Sequence, residues 1–367
     1  MSAKTSRDDI ILRSGLLILI FLLGISVILP LYTLLSKSFE NMDGEFVGLQ
    51  NFSEYFQTPA LFTSISNSLG VAIFSTLIVL FLAFVFAYAL TRTKMPFRGF
   101  FKGVALIPIL APSLLSAISL IYWFGNQGVL RSWLGDTSIY GPIGIIIGSC
   151  FWVFPHALLI LVTSLSTADA RLYEAAEALR TPKWRVFLTV TLPGVKYGVL
   201  SAGFIVFTLV ITDFGVPKVI GGRFNVLATD VYKQVVGQQN FEMGAVVSLV
   251  LLMPAVLAFI ADRWVQRKQV ALLSSRAVPF QPKTDLLRDS LLFIFCTIIS
   301  VVLIAMIVMA LYASFVSFWP YDLSLTLKNY NFDVMDGGGW EAYFNSIKLA
   351  IYCSLFGSGM IFLGGYL

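Results

Sequence analysis

The chain has 367 residues, of which 57% are hydrophobic and only 12% are charged. Soluble domains carry about 25% charged residues, so this composition excludes a globular enzyme of ordinary type. The net charge of +5 fits nucleic-acid binding. Basic residues in a membrane protein more often mark cytoplasmic loops, however, so no nucleic-acid partner is predicted.

Eight apolar segments are long enough to cross a lipid bilayer, whose core of about 30 Å requires roughly 20 helical residues. The first segment exceeds the apolar core of a signal peptide and no small-x-small cleavage site follows it, so we predict a retained span. The predicted fold class is an all-α polytopic membrane protein, because the spans are too long for barrel strands. In chain order the predicted spans are residues 11–35, 67–90, 100–124, 142–164, 197–216, 244–260, 291–315 and 346–367.

Basic residues are distributed unequally between the two ends of these spans. Most of the 25 Lys and Arg residues lie before the first span and after the second, fourth and sixth spans. The positive-inside rule therefore predicts a multi-pass protein whose N-terminus lies in the cytoplasm.

Two prolines, two glycines and a histidine distinguish the third and fourth spans. Pro108 and Pro112 predict either a hinge or a static kink, since proline removes a helical hydrogen bond. Gly144 and Gly148 form a small-xxx-small pair that is typical of close helix packing. His156 follows a proline that can kink the helix and expose backbone carbonyls, so it is a candidate to line a path through the membrane. A hydrogen-bonded packing histidine is the alternative.

The segment after the fourth span predicts two short helices. An Ala-rich run at residues 168–179 has strong helix propensity, and Ser166 or Thr167 can cap its start. Pro182 ends this helix because it lacks a backbone N–H. A second helix or turn follows at residues 184–191, and Pro193 is predicted to end it.

The first of these helices fits docking into a groove of a partner protein. Ala175 and Ala176 are small enough to allow close backbone approach, and Leu172 and Leu179, with Phe187 of the following segment, supply apolar contacts. Glu174 supplies a directional polar contact. The residue types alone fit equally an amphipathic helix that lies on the membrane surface or packs on its own loop.

Asp213 lies near the outer end of the fifth span, close to Pro217. An ionisable residue at membrane depth is a candidate functional residue, although a position at the interface weakens that inference. Lys218 and Arg223 follow on the external side, where they can attract an anionic solute or serve as solvated loop charges.

Two parts of the chain resemble one another. Asn51 and Asn67 recur as Asn329 and Asn345 at equal spacing and in similar sequence surroundings. Six spans separate the copies, so both enter the membrane in the same direction, which predicts parallel repeats. The predicted domains are a first unit of six spans at residues 1–270, a cytoplasmic linker at 271–290, and an incomplete second unit of two spans at 291–367.

Glu174-Ala175-Ala176, with a Leu-Pro pair ending at Pro193, resembles the EAA loop of permease subunits of bacterial binding-protein-dependent ABC importers. That resemblance implies a type I importer permease fold in which this loop docks on an ATPase subunit. Where the family has Gly, this chain has Arg180, which disfavours positive φ and leaves the turn geometry open. The loop residues that the resemblance assigns to ATPase coupling are Glu174, Ala175, Ala176, Leu179, Arg180, Phe187 and Pro193.

Residues 213–217, with Gly221 and Gly222, resemble a subgroup of fused two-repeat permeases that includes ferric-iron and 2-aminoethylphosphonate importers. Residues 212–222, 225–233 and 336–340 resemble the phosphonate type. The resemblance implies import of 2-aminoethylphosphonate or another phosphonate across a bacterial inner membrane, with ferric iron as the alternative. It also implies two copies of an ABC ATPase subunit, a periplasmic solute-binding protein and the lipid bilayer as partners. The residues themselves make His156, Asp213 and Pro217 the candidates for a translocation path.

Two other classes of protein remain alternatives. A secondary transporter without an ATPase partner usually carries acidic or His relays in its spans, and the deep spans here lack Glu and Asp. A membrane-embedded enzyme needs clustered catalytic residues, and the sequence shows no such cluster. The absence of a G-x-x-x-x-G-K-[ST] loop places ATP hydrolysis in a separate subunit. One histidine and three well-separated cysteines predict no metal site, disulfide framework or cofactor.

Overall fold

The structure is a computed structural model that describes residues 7–269, 278, 280–334 and 338–366. The predicted all-α membrane fold is confirmed. A short antiparallel pair, β1 (Val316–Phe318) and β2 (Asp322–Leu325), was not predicted. The helices are α1 (Arg7–Leu23), α2 (Leu29–Lys37), α3 (Gln50–Gln57), α4 (Pro59–Arg92), α5 (Arg98–Leu106), α6 (Ser113–Phe124), α7 (Pro142–Ser166), α8 (Ala170–Ala178), α9 (Lys183–Val186), α10 (Leu192–Ile211), α11 (Gly215–Ile220), α12 (Leu227–Tyr232), α13 (Phe241–Gln269), α14 (Leu286–Phe315) and α15 (Gly339–Tyr366).

Within the described residues, seven helices are long and apolar enough to cross a membrane. They occupy positions of seven predicted spans, although most extend beyond the predicted limits because polar helical ends carry little hydropathic signal. The seven are Leu12–Lys37, Pro59–Arg92, Pro142–Ser166, Lys183–Ile211, Phe241–Arg267, Leu286–Phe315 and Gly339–Tyr366.

The third predicted span, residues 100–124, is broken rather than continuous. Helices Arg98–Leu110 and Ser113–Phe124 meet at 103°. The break falls where Ala111 is extended, with φ −100° and ψ 137°, directly before Pro112. Proline disfavours helical geometry in the residue before it and donates no hydrogen bond, so Pro112 sets the place of the break.

The prediction that Pro193 ends the second loop helix is wrong. Residues Lys183–Ile211 form one helix that passes through Pro193. A π-helical turn at Phe187–Thr191 immediately precedes the proline. Such a turn widens the helix by one residue, which accommodates a proline that has no N–H and whose ring crowds the preceding turn.

The larger compact unit comprises residues 50–313, and its core lies where α4, α7 and α10 pack together. Val79, Phe86 and Leu161 are fully buried there. α7 and α10 approach closely at Gly198, where an added Cβ would lie 2.3 Å from Ser164 Oγ. Small residues of this kind let membrane helices approach one another.

The predicted packing role of Gly144 and Gly148 is confirmed. An added Cβ at Gly144 would lie 2.8 Å from Ile220 Cδ1, and one at Gly148 would lie 2.8 Å from Val216 Cγ1. Both neighbours belong to α11, so the glycine face of α7 receives that short helix. α14 joins the same unit, where the Trp123 indole N–H donates to Ala305 O at 3.2 Å.

The second compact unit comprises residues 1–49 and 314–367. Within its described part, α1 packs against α15, where an added Cβ at Gly364 would lie 3.4 Å from Leu19 Cδ2. The amide of Asn329 donates to the carbonyls of Ser314 and Val316 at 3.1 and 2.8 Å, which fixes the loop beside the β1–β2 pair.

The order of elements is similar around the two predicted copies, and the duplication itself stays a prediction. A span, a short helix around Asn51 and a second span occur in the first copy, and a span, a 3₁₀ turn at Lys328–Tyr330 and a span occur in the second. The division into units at residues 1–270 and 291–367 concerns ancestry of the sequence and stays a prediction. Of the predicted linker, residues 271–277 and 279 lie outside the described residues, as do Asp336 and Gly337 of the phosphonate-type segment.

Candidate functional site

α8 forms the helix predicted from the Ala-rich run, with its start at a different residue. Asp169, rather than Ser166 or Thr167, is the N-cap, and its side chain accepts a hydrogen bond from Arg171 N at 3.1 Å. Asp is among the strongest N-cap residues and its charge complements the helix dipole. The cap fixes the point at which the chain turns from the end of α7 into α8.

Arg180 adopts the left-handed conformation that a glycine would adopt at this position, with φ +50°. Thr181 N donates to Ala176 O at 2.9 Å and Arg180 N donates to Glu177 O at 2.8 Å. These two bonds form the Schellman end of an α-helix. The turn after α8 therefore has the geometry of a glycine C-cap, although the residue at this position is arginine.

Replacing Arg180 with Gly is expected to stabilise the end of α8 by about 1 kcal/mol, because a side chain in the left-handed region costs roughly that amount. Amide hydrogen exchange over residues 170–181 should slow accordingly. Arg185→Gly is the matched control, since Arg185 lies in α9 with helical geometry and glycine weakens a helix there. Faster exchange in Arg180→Gly would contradict the assigned strain.

The two faces of α8 have different surroundings. Ala170 and Ala176 are buried, and the hydroxyl of Tyr173 donates to Thr191 Oγ1 at 3.1 Å, so this face packs on the protein. The opposite face is free, with Leu172 58% exposed and the C-cap residue Leu179 80% exposed. The buried face therefore packs on its own protein, as one alternative predicted, whereas docking through the exposed face stays a prediction.

The remaining predicted coupling residues divide in the same way. Glu174 and Ala175 are exposed, and Glu174 makes no hydrogen bond or ion pair with the described residues. Phe187 is half-buried, with ring centroids 6.0 Å from Phe84 and 6.2 Å from Tyr88 in α4. Pro193 is exposed in the continuous helix that follows. Glu174, Ala175 and the two exposed leucines are accessible to another molecule, whereas Phe187 joins the loop to α4.

Arg92, at the end of α4, connects α8 to two membrane-spanning helices. It is 2% exposed, and its Nη2 donates to Leu165 O at the end of α7 at 2.9 Å. Its guanidinium carbon lies 4.8 Å from the ring centroid of Tyr173 and 4.3 Å from that of Phe280. A desolvated cation–π contact contributes about 2 kcal/mol, so this cluster holds α8 against α4 and α7.

Sequence reasoning did not single out Arg92, Tyr173 or Phe280. One signal was present: Ala170, Tyr173 and Ala176 recur at three-residue spacing, which places them on one helical face. Arg92 and Phe280 carry no comparable pattern. Arg92 also lines a cavity of about 770 Å³ together with Arg98, Lys102, Ser166 and Phe280, among other residues.

The predicted path residues His156, Asp213 and Pro217 line neither of the two cavities described in this chain. His156 lies in α7 with its ring 6.0 Å from that of Trp152, and its Nδ1 is buried with no hydrogen-bond partner among the described residues. Pro217 is buried in α11. Their role in a translocation path stays a prediction.

Asp213 has a clear structural role. Its Oδ1 accepts from Ser113 Oγ at 2.8 Å, and its Oδ2 accepts from Val216 N at 3.0 Å. Ser113 begins α6 directly after the break in the third span, so Asp213 joins the end of α10 to that break. An added Cβ at Gly215 would lie 2.4 Å from Ser113 Oγ, which explains the glycine.

A second cavity, of about 370 Å³, lies between α3 and α12 and is lined by polar side chains. Asp230 in its wall is 4% exposed, and its Oδ2 has no hydrogen-bond partner in the described part of the chain. Burial raises the pKa of the Asp230 carboxyl, and the hydrogen bond from Ser64 and the charge of Lys233 oppose this shift. The site therefore favours the protonated acid.

We expect Asp230→Asn to unfold at a higher temperature than wild type at neutral pH. Because the pKa of Asp230 is higher in the folded than in the unfolded protein, stability falls as the pH rises from the unfolded-state pKa, about 3.9, through the folded-state pKa. The difference between the two proteins should shrink as the pH falls towards about 4. Melting temperatures in detergent from pH 4 to 8 test this, with exposed Asp136→Asn as the control; a constant difference at all pH values would contradict it.

Residues 80–271 match the family described as binding-protein-dependent transport system inner membrane component. The matched range contains α8 and covers more than half of the chain. This chain belongs to that family. It has the all-α, multi-span membrane fold described above.

This chain resembles curated proteins at low identity. It is 24% identical to the ferric transport system permease protein FbpB of Actinobacillus pleuropneumoniae over 95% of this chain and 52% of the relative. It is 28% identical to the spermidine/putrescine transport system permease protein PotB of Escherichia coli over 61% of this chain and 86% of the relative. The chain thus spans about half the length of the ferric transport relative.

A solved structure shares the fold. A chain of a bacterial ABC transporter involved in the import of the acidic polysaccharide alginate superposes with a TM-score of 0.56 at 15% identity. The match covers 73% of this chain and 98% of the transporter chain. Similarity at this level of identity supports the fold and leaves the solute open.

Proposed function

We propose that this chain belongs to the membrane-spanning translocation subunit of an ATP-driven solute importer, and that the exposed face of α8 docks on an ABC ATPase. The observation that carries the proposal is the exposure of α8: Leu172 is 58% and Leu179 80% exposed, and the exposed Glu174 makes no hydrogen bond or ion pair with the described residues. Exposed apolar side chains on a short helix fit the helix-in-groove mode of recognition. ATP hydrolysis then belongs to the ATPase, present in two copies per importer.

The orientation proposed is the one that basic residues favour, with α8 and the N-terminus in the cytoplasm of a bacterial cell and the protein in its inner membrane. In this orientation the cavity around Asp230 faces the periplasm, where a solute-binding protein delivers its cargo. ATP and the loaded binding protein each have to bind one conformation better than the other, because only differential binding shifts a conformational equilibrium.

Movement of the ATPase reaches the membrane through α8. The buried face of α8 contacts Arg92 through Tyr173, and Arg92 joins α4 to the end of α7. Displacement of α8 therefore acts on two spans of the core at once. Packed interfaces shift between discrete arrangements rather than deforming continuously, which fits alternating access.

For the solute we propose 2-aminoethylphosphonate or another phosphonate, on the resemblance of residues 212–222 and 225–233. Three residues of the second segment, Asn225, Asp230 and Lys233, line the cavity on the binding-protein side. Ferric iron is a second candidate, favoured by the ferric transport relative that aligns over 95% of this chain. Neither solute is a cofactor of the chain.

The test is co-purification of the protein with ABC ATPase subunits and the binding protein encoded beside it. A stable complex whose ATPase activity rises with loaded binding protein supports the importer. Calorimetric titration of the binding protein with 2-aminoethylphosphonate and with ferric iron then identifies the solute. Transport that persists without any ATPase would instead favour a secondary transporter.

A further inference from the structure

The segment at residues 278–289 runs along α8 and into α14; residue 279 lies outside the described residues, and the segment is called the strap below. At its start, Ala170 N donates to Val278 O at 2.9 Å, and Asp169 Oδ1 accepts from Val278 N at 3.4 Å. The first amides of a helix have no partner within the helix. The strap satisfies one of them and is thereby fixed to the first turn of α8.

Phe280 places an aromatic ring of the strap in the Arg92 cluster. Its ring centroid lies 4.7 Å from that of Tyr173 and 4.3 Å from the guanidinium carbon of Arg92. Aromatic pairs stabilise a fold beyond the burial of their surface, and a cation–π contact adds to this. Phe280 is therefore the main point at which the strap holds α8.

Two ion pairs lie on either side of the turn at Arg180. Lys283 Nζ lies 2.6 Å from Glu177 Oε1, and Lys183 pairs with Asp285. Exposed ion pairs are weakened by solvent and salt, so they add little stability. Their positions, one before and one after the turn, fix the register of the strap along the α8–α9 loop.

The far end of the strap forms the first turn of α14. Asp289 Oδ2 accepts from Lys94 N at 3.3 Å, and Asp289 Oδ1 pairs with Arg288 at 2.8 Å. Further along α14, the ring of Phe293 packs on Phe101 at 5.4 Å between centroids. α8 and α14 are therefore connected through contacts of Val278, Phe280, Lys283, Asp285 and Asp289.

The strap lies beyond the part of the chain that matches the family, since that match ends at residue 271, whereas α8 lies inside it. We propose that the strap makes α8 and α14 move as one body. Displacement of α8, the docking helix, then also displaces α14, the opening span of the predicted second repeat at residues 291–367. Phe280 and Lys283 are its positioning residues. The proposal rests on the function proposed above, because it assigns the strap a part in the same coupling.

The test compares Phe280→Ala with wild type, reconstituted in vesicles with the ATPase and binding protein. The complex should still assemble, because the exposed face of α8 is unchanged. Solute imported per ATP hydrolysed should fall by about tenfold, as expected for loss of contacts worth about 1.4 kcal/mol. Amide exchange over residues 170–178 should accelerate by a similar factor. Phe318→Ala, which removes a 63% exposed ring in β1, is the control.

Charge reversal provides a second test that leaves the aromatic cluster intact. Lys283→Glu should lower the import-to-ATP ratio by about twofold, and Glu177→Lys combined with Lys283→Glu should restore it. If the ion pair between Lys283 and Glu177 had a purely structural role, the double variant would not rescue the ratio of import to ATP hydrolysis. Accelerated exchange in Phe280→Ala with an unchanged ratio would overturn the proposal, as would unchanged exchange. A wild-type protein that recruits no ATPase would overturn the proposed function itself.

Discussion

Glu174→Lys is expected to lower ATP-driven import by about tenfold or more while the protein remains folded. Glu174 is exposed on α8 and makes no hydrogen bond or ion pair with the described residues, so its reversal costs the isolated protein little. At a docking surface, an interface charge of the wrong sign opposes association, and about 1.4 kcal/mol corresponds to a tenfold loss of affinity. Import by reconstituted vesicles and ATPase co-purification measure the effect.

Asp136→Lys is the matched control for this change. Asp136 is equally exposed but lies before the start of α7, whereas α8 follows the end of α7, so the two positions are at opposite ends of a membrane-spanning helix. Wild-type import and a wild-type complex in Glu174→Lys would remove α8 from the docking surface. A defect of equal size in both variants would point to a general effect of charge.

Gly148→Leu is expected to destabilise the protein by at least about 3 kcal/mol, the upper range for overpacking of a close-packed core. An added Cβ alone would lie 2.8 Å from Val216 Cγ1 and 3.3 Å from Ser116 Oγ. A leucine therefore separates α7 from α11 and α6 together. Unfolding in detergent, followed by helical signal, measures the loss.

Gly70→Leu is the control for this substitution, because no heavy atom lies within 4 Å of an added Cβ at Gly70. Its helix, α4, is also membrane-spanning, and leucine is a better helix former than glycine there. Gly70→Leu should leave the free energy of unfolding within about 0.5 kcal/mol of wild type or raise it. Equal losses in the two variants would show that packing at Gly148 is not the cause.

The spans were predictable from the sequence because apolar length is a local property of the chain. The place of the break in the third span was predictable too, since Pro112 restricts Ala111. The 103° angle was not, because it depends on how α6 packs against α7 and α11, elements far away in sequence. The end predicted at Pro193 is wrong because no sequence pattern indicates the wider π-helical turn that precedes this proline and lets the helix continue.

The candidate site was partly predictable for similar reasons. The small residues of α8 are a local signal and identified the loop, although the predicted caps Ser166 and Thr167 lie two or three residues before the actual N-cap, Asp169. Which face of α8 is free was not predictable, because Arg92 and Phe280 cover the other face from sequence positions about 80 and 107 residues away from Tyr173. The left-handed Arg180 also defied local preference, since tertiary contacts around the turn outweigh a cost of about 1 kcal/mol.

The continuous helix Lys183–Ile211 has a mechanical consequence. Its 29 residues, at 1.5 Å each, give a rod about 43 Å long. One end follows directly from the α8 turn, and the other leads to Asp213, which bonds Ser113 at the broken span. A tilt of about 5° around the midpoint moves each end by about 2 Å in opposite directions. If this helix tilts, its far end would displace the broken span through the hydrogen bond between Asp213 and Ser113.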